Sequence, residues 1–173
     1  MNSRPRSGVR DLKGPRASAP ELKLAYLETD ASVRPGERHR TGVRPSLGGA
    51  GIVLWDSELR PVVMESIALG PVSCGPEAEL RAVISGLKIA RGRGVERIRV
   101  RTDCLAVVRH LNGEQALEVG WALPLVPELG ELVRSFGYFE ARWMPSSHAV
   151  ERRAGVPTAD SLARAAIGLG RRK

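Results

Sequence analysis

The chain has 173 residues, room for one globular domain and little more. Hydrophobic residues make up 42% of it, but charges interrupt every apolar stretch, which excludes a helical membrane span of roughly 20 residues. Cys74 and Cys104, 30 residues apart with no CxxC pair, indicate neither a zinc site nor a disulfide framework.

The formal charge of +8 points to a polyanionic partner, and its placement sharpens the point. Residues 1–20 set Arg4, Arg6, Arg10, Lys13 and Arg16 against Asp11 alone. With Pro5, Pro15 and Pro20 and no periodic apolar pattern, they read as a disordered basic tail. Arg171, Arg172 and Lys173 read as a second tail, so the folded domain is expected over 21–170. The amino terminus lacks the apolar run of an export signal, and a cytoplasmic location is the expectation.

Leu22, Leu24 and Tyr26 begin an alternating strand that is expected to close at Thr29 and Asp30. A loop over 34–44 then gathers Arg34, Arg38, Arg40 and Arg44 against Glu37, a basic cluster suited to phosphate contact. Two further strands, 48–57 and 59–70, are joined by a tight turn, which makes an antiparallel meander.

At Gly75-Pro76 the period changes. Leu80, Val83, Ile84 and Leu87 lie on one face of a helix, Pro76 fits its first turn, and Gly92 and Gly94 end it. Arg97–Asp103 alternates as a fourth strand, and a short helix follows to Asn112-Gly113. Another helix begins after Pro124 or Pro127, Tyr138–Met144 is a fifth strand, and Thr158 is the N-cap of a last helix. A meander followed by strand and helix in alternation implies a mixed α/β sheet. Strands 1–3 are antiparallel, strands 4 and 5 run parallel to strand 1 because such crossovers are right-handed, and helices cover both faces.

Four acids sit at the ends of these elements. Asp30 and Asp103 are placed at the ends of strands 1 and 4, and Glu79 and Asp160 in the first turns of two helices. Singly, each is explained as a turn residue or as a complement to a helix dipole. Strands 1 and 4, if parallel neighbours, would instead deliver both aspartates to the sheet edge where ligands of open α/β sheets bind. Carboxylates gathered there need a cation, and hard divalent ions suit such a set of oxygens. A pair of Mg²⁺ or Mn²⁺ ions about 3.5 to 4 Å apart would serve in-line displacement at phosphorus.

The segments TDAS (29–32), GGAGIVL (48–54), AEL (78–80), RTDC (101–104), RW (142–143) and ADSLARAA (159–166) resemble, in this order, the motifs of type 1 ribonuclease H. The resemblance spans 22–169 and implies a ribonuclease H-like fold and a metal-dependent endonuclease that cuts the RNA strand of RNA/DNA hybrids. By it, Asp30, Glu79, Asp103 and Asp160 are the metal-binding tetrad, and His148 is the mobile histidine that assists catalysis.

The family often has Asn before the helix glutamate and before the final aspartate, where this chain has Gly75-Pro76 and Val156. Backbone groups at Gly75, with Ser32 and the arginines of 34–44, are then expected to hold the nucleic acid. A nucleic-acid-binding module that has lost turnover, or a nuclease of the same fold acting on another RNA or on DNA, shares these motifs. Trp55, Trp121 and Trp143 lie in apolar contexts and are expected in the core.

Overall fold

The computed structural model describes residues 23–36, 38–39, 42–43, 45–145 and 155–169. In chain order the elements are β1 (Ala25–Arg34), β2 (Arg38–His39), β3 (Gly42–Val43), β4 (Ser46–Trp55), β5 (Pro61–Val72), α1 (Gly75–Gly92), β6 (Arg97–Thr102), α2 (Leu105–Leu111), α3 (Val126–Arg134), β7 (Tyr138–Trp143) and α4 (Ala159–Ala166). Five strands form one sheet in the order β5-β4-β1-β6-β7. The β5-β4-β1 part is antiparallel, and β6 and β7 run parallel to β1. This is the mixed sheet the sequence implies. Within the stretch expected to be a loop, β2 and β3 pair as a small antiparallel ribbon.

Alternation divides the sheet between two cores. Ala25 and Leu27 of β1, Ile52 and Leu54 of β4, and Ile98 and Val100 of β6 pack with Leu80, Val83, Ile84 and Leu87 of α1, together with Val107 and Leu129 from α2 and α3. On the opposite face, Val53 and Trp55 pack with Ala159, and Tyr26, Val156 and Leu162 extend that smaller cluster. Each fully buried Leu, Ile or Val contributes about 1.5–3 kcal/mol, so the larger core fixes α1 firmly on the sheet. Among the described residues, no helix is long and apolar enough to cross a membrane.

Glycines set how closely the helices approach. A Cβ on Gly51 would lie 1.8 Å from the Ala159 carbonyl oxygen, and one on Gly49 would lie 2.4 Å from that of Ala163. The GGAG segment of β4 therefore lets the α4 backbone rest directly on the strand. Gly86 does the same for α1, where a Cβ would meet the Leu27 methyls at 2.9 Å. Gly94, at φ 74, turns the chain after α1 through a conformation that disfavours other residues.

Two other sequence expectations change in the sheet. Asp30 does not end its strand: β1 pairs with β4 as far as Arg34, while its pairing with β6 stops at Glu28 opposite Arg101. Tryptophan 143 is not in the core. Trp55 is buried and Trp121 half-buried against the main core, but Trp143 is 51% exposed, because it ends β7 at the edge of the sheet.

Candidate metal centre

The premature end of the β1–β6 pairing creates the site. Beyond Glu28 and Arg101 the two strands no longer bond to one another. By alternation, Asp30 shares the α4 side of the sheet with Tyr26 and Glu28, whereas Leu27 and Thr29 face Gly86 of α1. Asp103 follows the last residue of β6 directly. The opening admits side chains from both layers.

Glu79 enters from α1. It lies seven residues before Gly86, hence on the same side of the helix, and it is one turn into α1 rather than in the first turn, where Glu77 sits. Its Oε1 accepts a hydrogen bond of 3.0 Å from the Ala31 backbone N–H. Its Oε2 is buried and has no hydrogen-bond partner. One carboxylate oxygen each from Asp30, Glu79 and Asp103 lies within 4.8 Å of the others, and all three residues are half-buried. Asp160 occupies the first turn of α4, beside the strand contact that Gly51 permits. It is exposed, yet close enough for its charge to act on Asp30.

The electrostatics carry the cost of this assembly. Burial, and then the charges of Asp103 and Asp160, push the Asp30 carboxyl up to about 7. Burial, and then Asp30 and Asp103, push Glu79 up to about 9. Acids so placed resist ionising together, and a divalent cation removes the conflict by charge and by coordination. The buried Glu79 Oε2, which accepts no hydrogen bond from a protein donor, is a suitable ligand atom for such an ion. The all-oxygen donor set suits Mg²⁺ or Mn²⁺, so the residues present fit the metal that the sequence motifs imply.

Hydrogen bonds brace the surroundings. Thr158 caps α4 by accepting from the Ser161 N–H at 3.1 Å, which holds the turn bearing Asp160. The Trp143 indole Nε1 donates to the Asp103 carbonyl oxygen at 2.9 Å, and Thr102 Oγ1 accepts from the Cys104 N–H. Both bonds fix the backbone on either side of the Asp103 side chain.

The remaining sequence candidates are spread more widely. Ser32 is half-buried on β1 opposite Gly49, Arg34 is exposed at the end of that strand, and Gly75 is exposed as the first residue of α1. Arg38 lies in β2. Arg40, Arg44 and His148 fall outside the described residues. Sequence reasoning missed two features of the site: the Trp143 tether, which a lone tryptophan does not signal, and the glycine seat for α4, which the small residues of 48–51 do.

A family model described as reverse transcriptase-like matches residues 40–166. The chain belongs to the reverse transcriptase-like family. No curated protein sequence matches it. Among solved structures, this reverse transcriptase-like chain is similar to RNase H1 from the halophilic archaeon Halobacterium salinarum, with 21% identity over 83% of this chain and 97% of that one, and a TM-score of 0.68. It is similar to the N-terminal RNase H domain of a Mycobacterium tuberculosis protein, with 22% identity, 84% and 96% coverage, and a TM-score of 0.66. LC11-RNase H1, solved with an RNA/DNA hybrid, aligns at 18% identity over 83% and 96% of the two chains, with a TM-score of 0.67. The fold is that of a type 1 ribonuclease H-like domain.

Proposed function

We propose that this chain is a metal-dependent endonuclease that hydrolyses the RNA strand of RNA/DNA hybrids. The observation that carries the reading is the meeting of Asp30, Glu79 and Asp103 within 4.8 Å, with Asp160 acting on Asp30 from α4. Three separate elements and a strand interior converge there, at an energetic cost that a bound cation relieves without the retained protons that would otherwise be needed. That LC11-RNase H1 was solved with an RNA/DNA hybrid supports the choice of substrate class.

Asp30, Glu79, Asp103 and Asp160 would hold two Mg²⁺ or Mn²⁺ ions. When bound, these ions lower the pKa of a water and stabilise the leaving 3′ oxygen in a displacement at phosphorus. The chain's own part is positional. The Ala31 N–H keeps Glu79 turned into the opening, and the continuous β1–β4 pairing holds Asp30 rigid where its other neighbour is gone. Ser32 and Arg34 follow Asp30 on β1, and Gly75 offers open backbone at the start of α1. These groups would receive the nucleic-acid backbone, with the arginines of 38–44 as further phosphate partners and His148 assisting catalysis. Selection for hybrid would rest on the 2′-hydroxyl and the wide minor groove of an A-like helix.

The test is a cleavage panel of labelled RNA/DNA hybrid, double-stranded RNA and single-stranded RNA, each with Mg²⁺, Mn²⁺ or EDTA. Cutting confined to the hybrid, dependent on metal and abolished in Asp103→Asn, is the expected result. Salt-sensitive binding without cleavage under any metal would replace the reading with that of a binding module.

A further inference from the structure

A second charged group lies one rung from the acids. Glu28 and Arg101 are the last residues through which β1 and β6 pair, just before the opening that Asp30 and Asp103 border. Glu28 is 5% exposed, its Oε1 lies 3.5 Å from Arg101 Nη1, and the Arg101 guanidinium covers the Tyr26 ring at 4.7 Å. The pair is therefore on the α4 side of the sheet, the side of Asp30, with Val53 opposite Glu28 on β4. A buried ion pair is a poor source of stability, since desolvation of both charges offsets their attraction and apolar residues of similar volume do as well. Its position explains it better. Glu28 stands two residues before Asp30 and Arg101 two before Asp103, a step of roughly 7 Å along each strand. Arg99 and Arg142 share Glu140 of β7, so Glu28 is the carboxylate that ties Arg101.

We propose that Glu28 is a positioning residue that holds Arg101 back from the acid cluster and so keeps Asp30 and Asp103 free for the metal. This rests on the reading of the four acids as a metal centre and is independent of the substrate. Arg101 is permanently charged, and its long side chain starts one rung from Asp30 and Asp103. Released from Glu28, it becomes an intramolecular rival of the ion, because a guanidinium forks onto any carboxylate within reach. Even where it stays over Tyr26, its charge is no longer balanced. A unit positive charge about 7 Å from a divalent ion weakens the binding of that ion about sevenfold at the dielectric of water, and more in a half-buried site. Glu28 removes both effects, by its charge and by fixing the guanidinium, and touches neither metal nor substrate to do so.

The experiment measures Mn²⁺ affinity without nucleic acid, from the electron paramagnetic resonance signal of the free ion near neutral pH and at low salt. It compares the full chain as parent, Glu28→Gln, and Glu28→Gln combined with Arg101→Met. Gln keeps the shape of Glu without its charge and is expected to raise the Kd at least about sevenfold. In the double variant Met fills the place of Arg101 without its charge, and the Kd is expected to return to within about twofold of the parent, the coupling that such a cycle isolates. Urea denaturation in EDTA keeps folding separate from binding. If Glu28→Gln does not fold, Glu28→Asp, which carries the charge on a shorter arm, takes its place, with a loss of the same sign expected. Gln binding Mn²⁺ as tightly as the parent overturns the inference and leaves the metal centre intact. A double variant that binds no better than Gln alone overturns it too, since Glu28 then acts by its own charge or shape and not through Arg101. If the parent binds no Mn²⁺, the metal centre falls and this inference falls with it.

Discussion

Glu79→Gln turns the conflict in the acid cluster into a measurable stability. In metal-free protein Glu79 is held up to about 9 against an ordinary 4.5, by burial first and by Asp30 and Asp103 next. An acid whose folded pKa is raised keeps its proton in the native state after the unfolded chain has lost it, so it contributes fully below 4.5 and loses that contribution as pH rises towards 9. Each pH unit in this window removes up to ~1.4 kcal/mol. Between pH 5 and pH 8 the wild type should therefore lose on the order of 4 kcal/mol relative to Gln. Gln has the same shape, keeps an oxygen for the Ala31 N–H, and cannot ionise. In urea or thermal denaturation with EDTA, the two proteins should match near pH 5, and Gln should be the more stable at pH 8, by roughly 10 °C for a domain of this size. Mg²⁺ at a hundred times its Kd should narrow the gap at pH 8 by about 2.7 kcal/mol, since Gln lacks the charge to hold the ion. A Gln protein less stable than wild type at pH 8 in EDTA, or a difference unchanged between pH 5 and pH 8, would refute the reasoning.

Gly51→Ala should unfold the α4 seat. The added Cβ meets backbone, the Ala159 carbonyl at 1.8 Å, which cannot rotate away, so a loss of about 3 kcal/mol or more is expected in chemical denaturation, with metal affinity lowered because Asp160 moves too. Gly120→Ala, with nothing within 4 Å, is the control and should stay within about 0.5 kcal/mol. Arg34→Ala, at the exposed end of β1, should weaken hybrid binding equally for all sequences and reduce the slope of log K against log salt by about 1, read by titration at several salt concentrations.

The sheet was legible because its signals are local. The alternation of Ile98, Val100 and Thr102 marks a buried strand face, and Leu80, Val83, Ile84 and Leu87 mark a helix face; both occupy the core as their spacing implies. Strand direction then followed from chirality, which needs no side-chain detail. Where a strand stops was not legible. Thr29-Asp30 reads as an end, yet β1 runs on to Arg34, since a strand persists while any one neighbour still bonds to it and β4 does so after β6 has left. That partner belongs to another part of the chain and leaves no mark at Asp30 itself.

The same distinction explains the site. Acid spacing suggested that Asp30 and Asp103 share an edge, but the opening that lets Glu79 reach them from the α1 layer arises from the mismatch in strand lengths, a property of two pairings and of no single motif. Trp143 is the sharpest case. Its neighbours Phe139 and Ala141 alternate inward on β7, and by sequence it continues them; it is exposed because β7 is an edge strand and its indole is drawn to the Asp103 carbonyl. A residue that obeys its strand's pattern and still faces solvent beside four acids has been placed by the site rather than by the core.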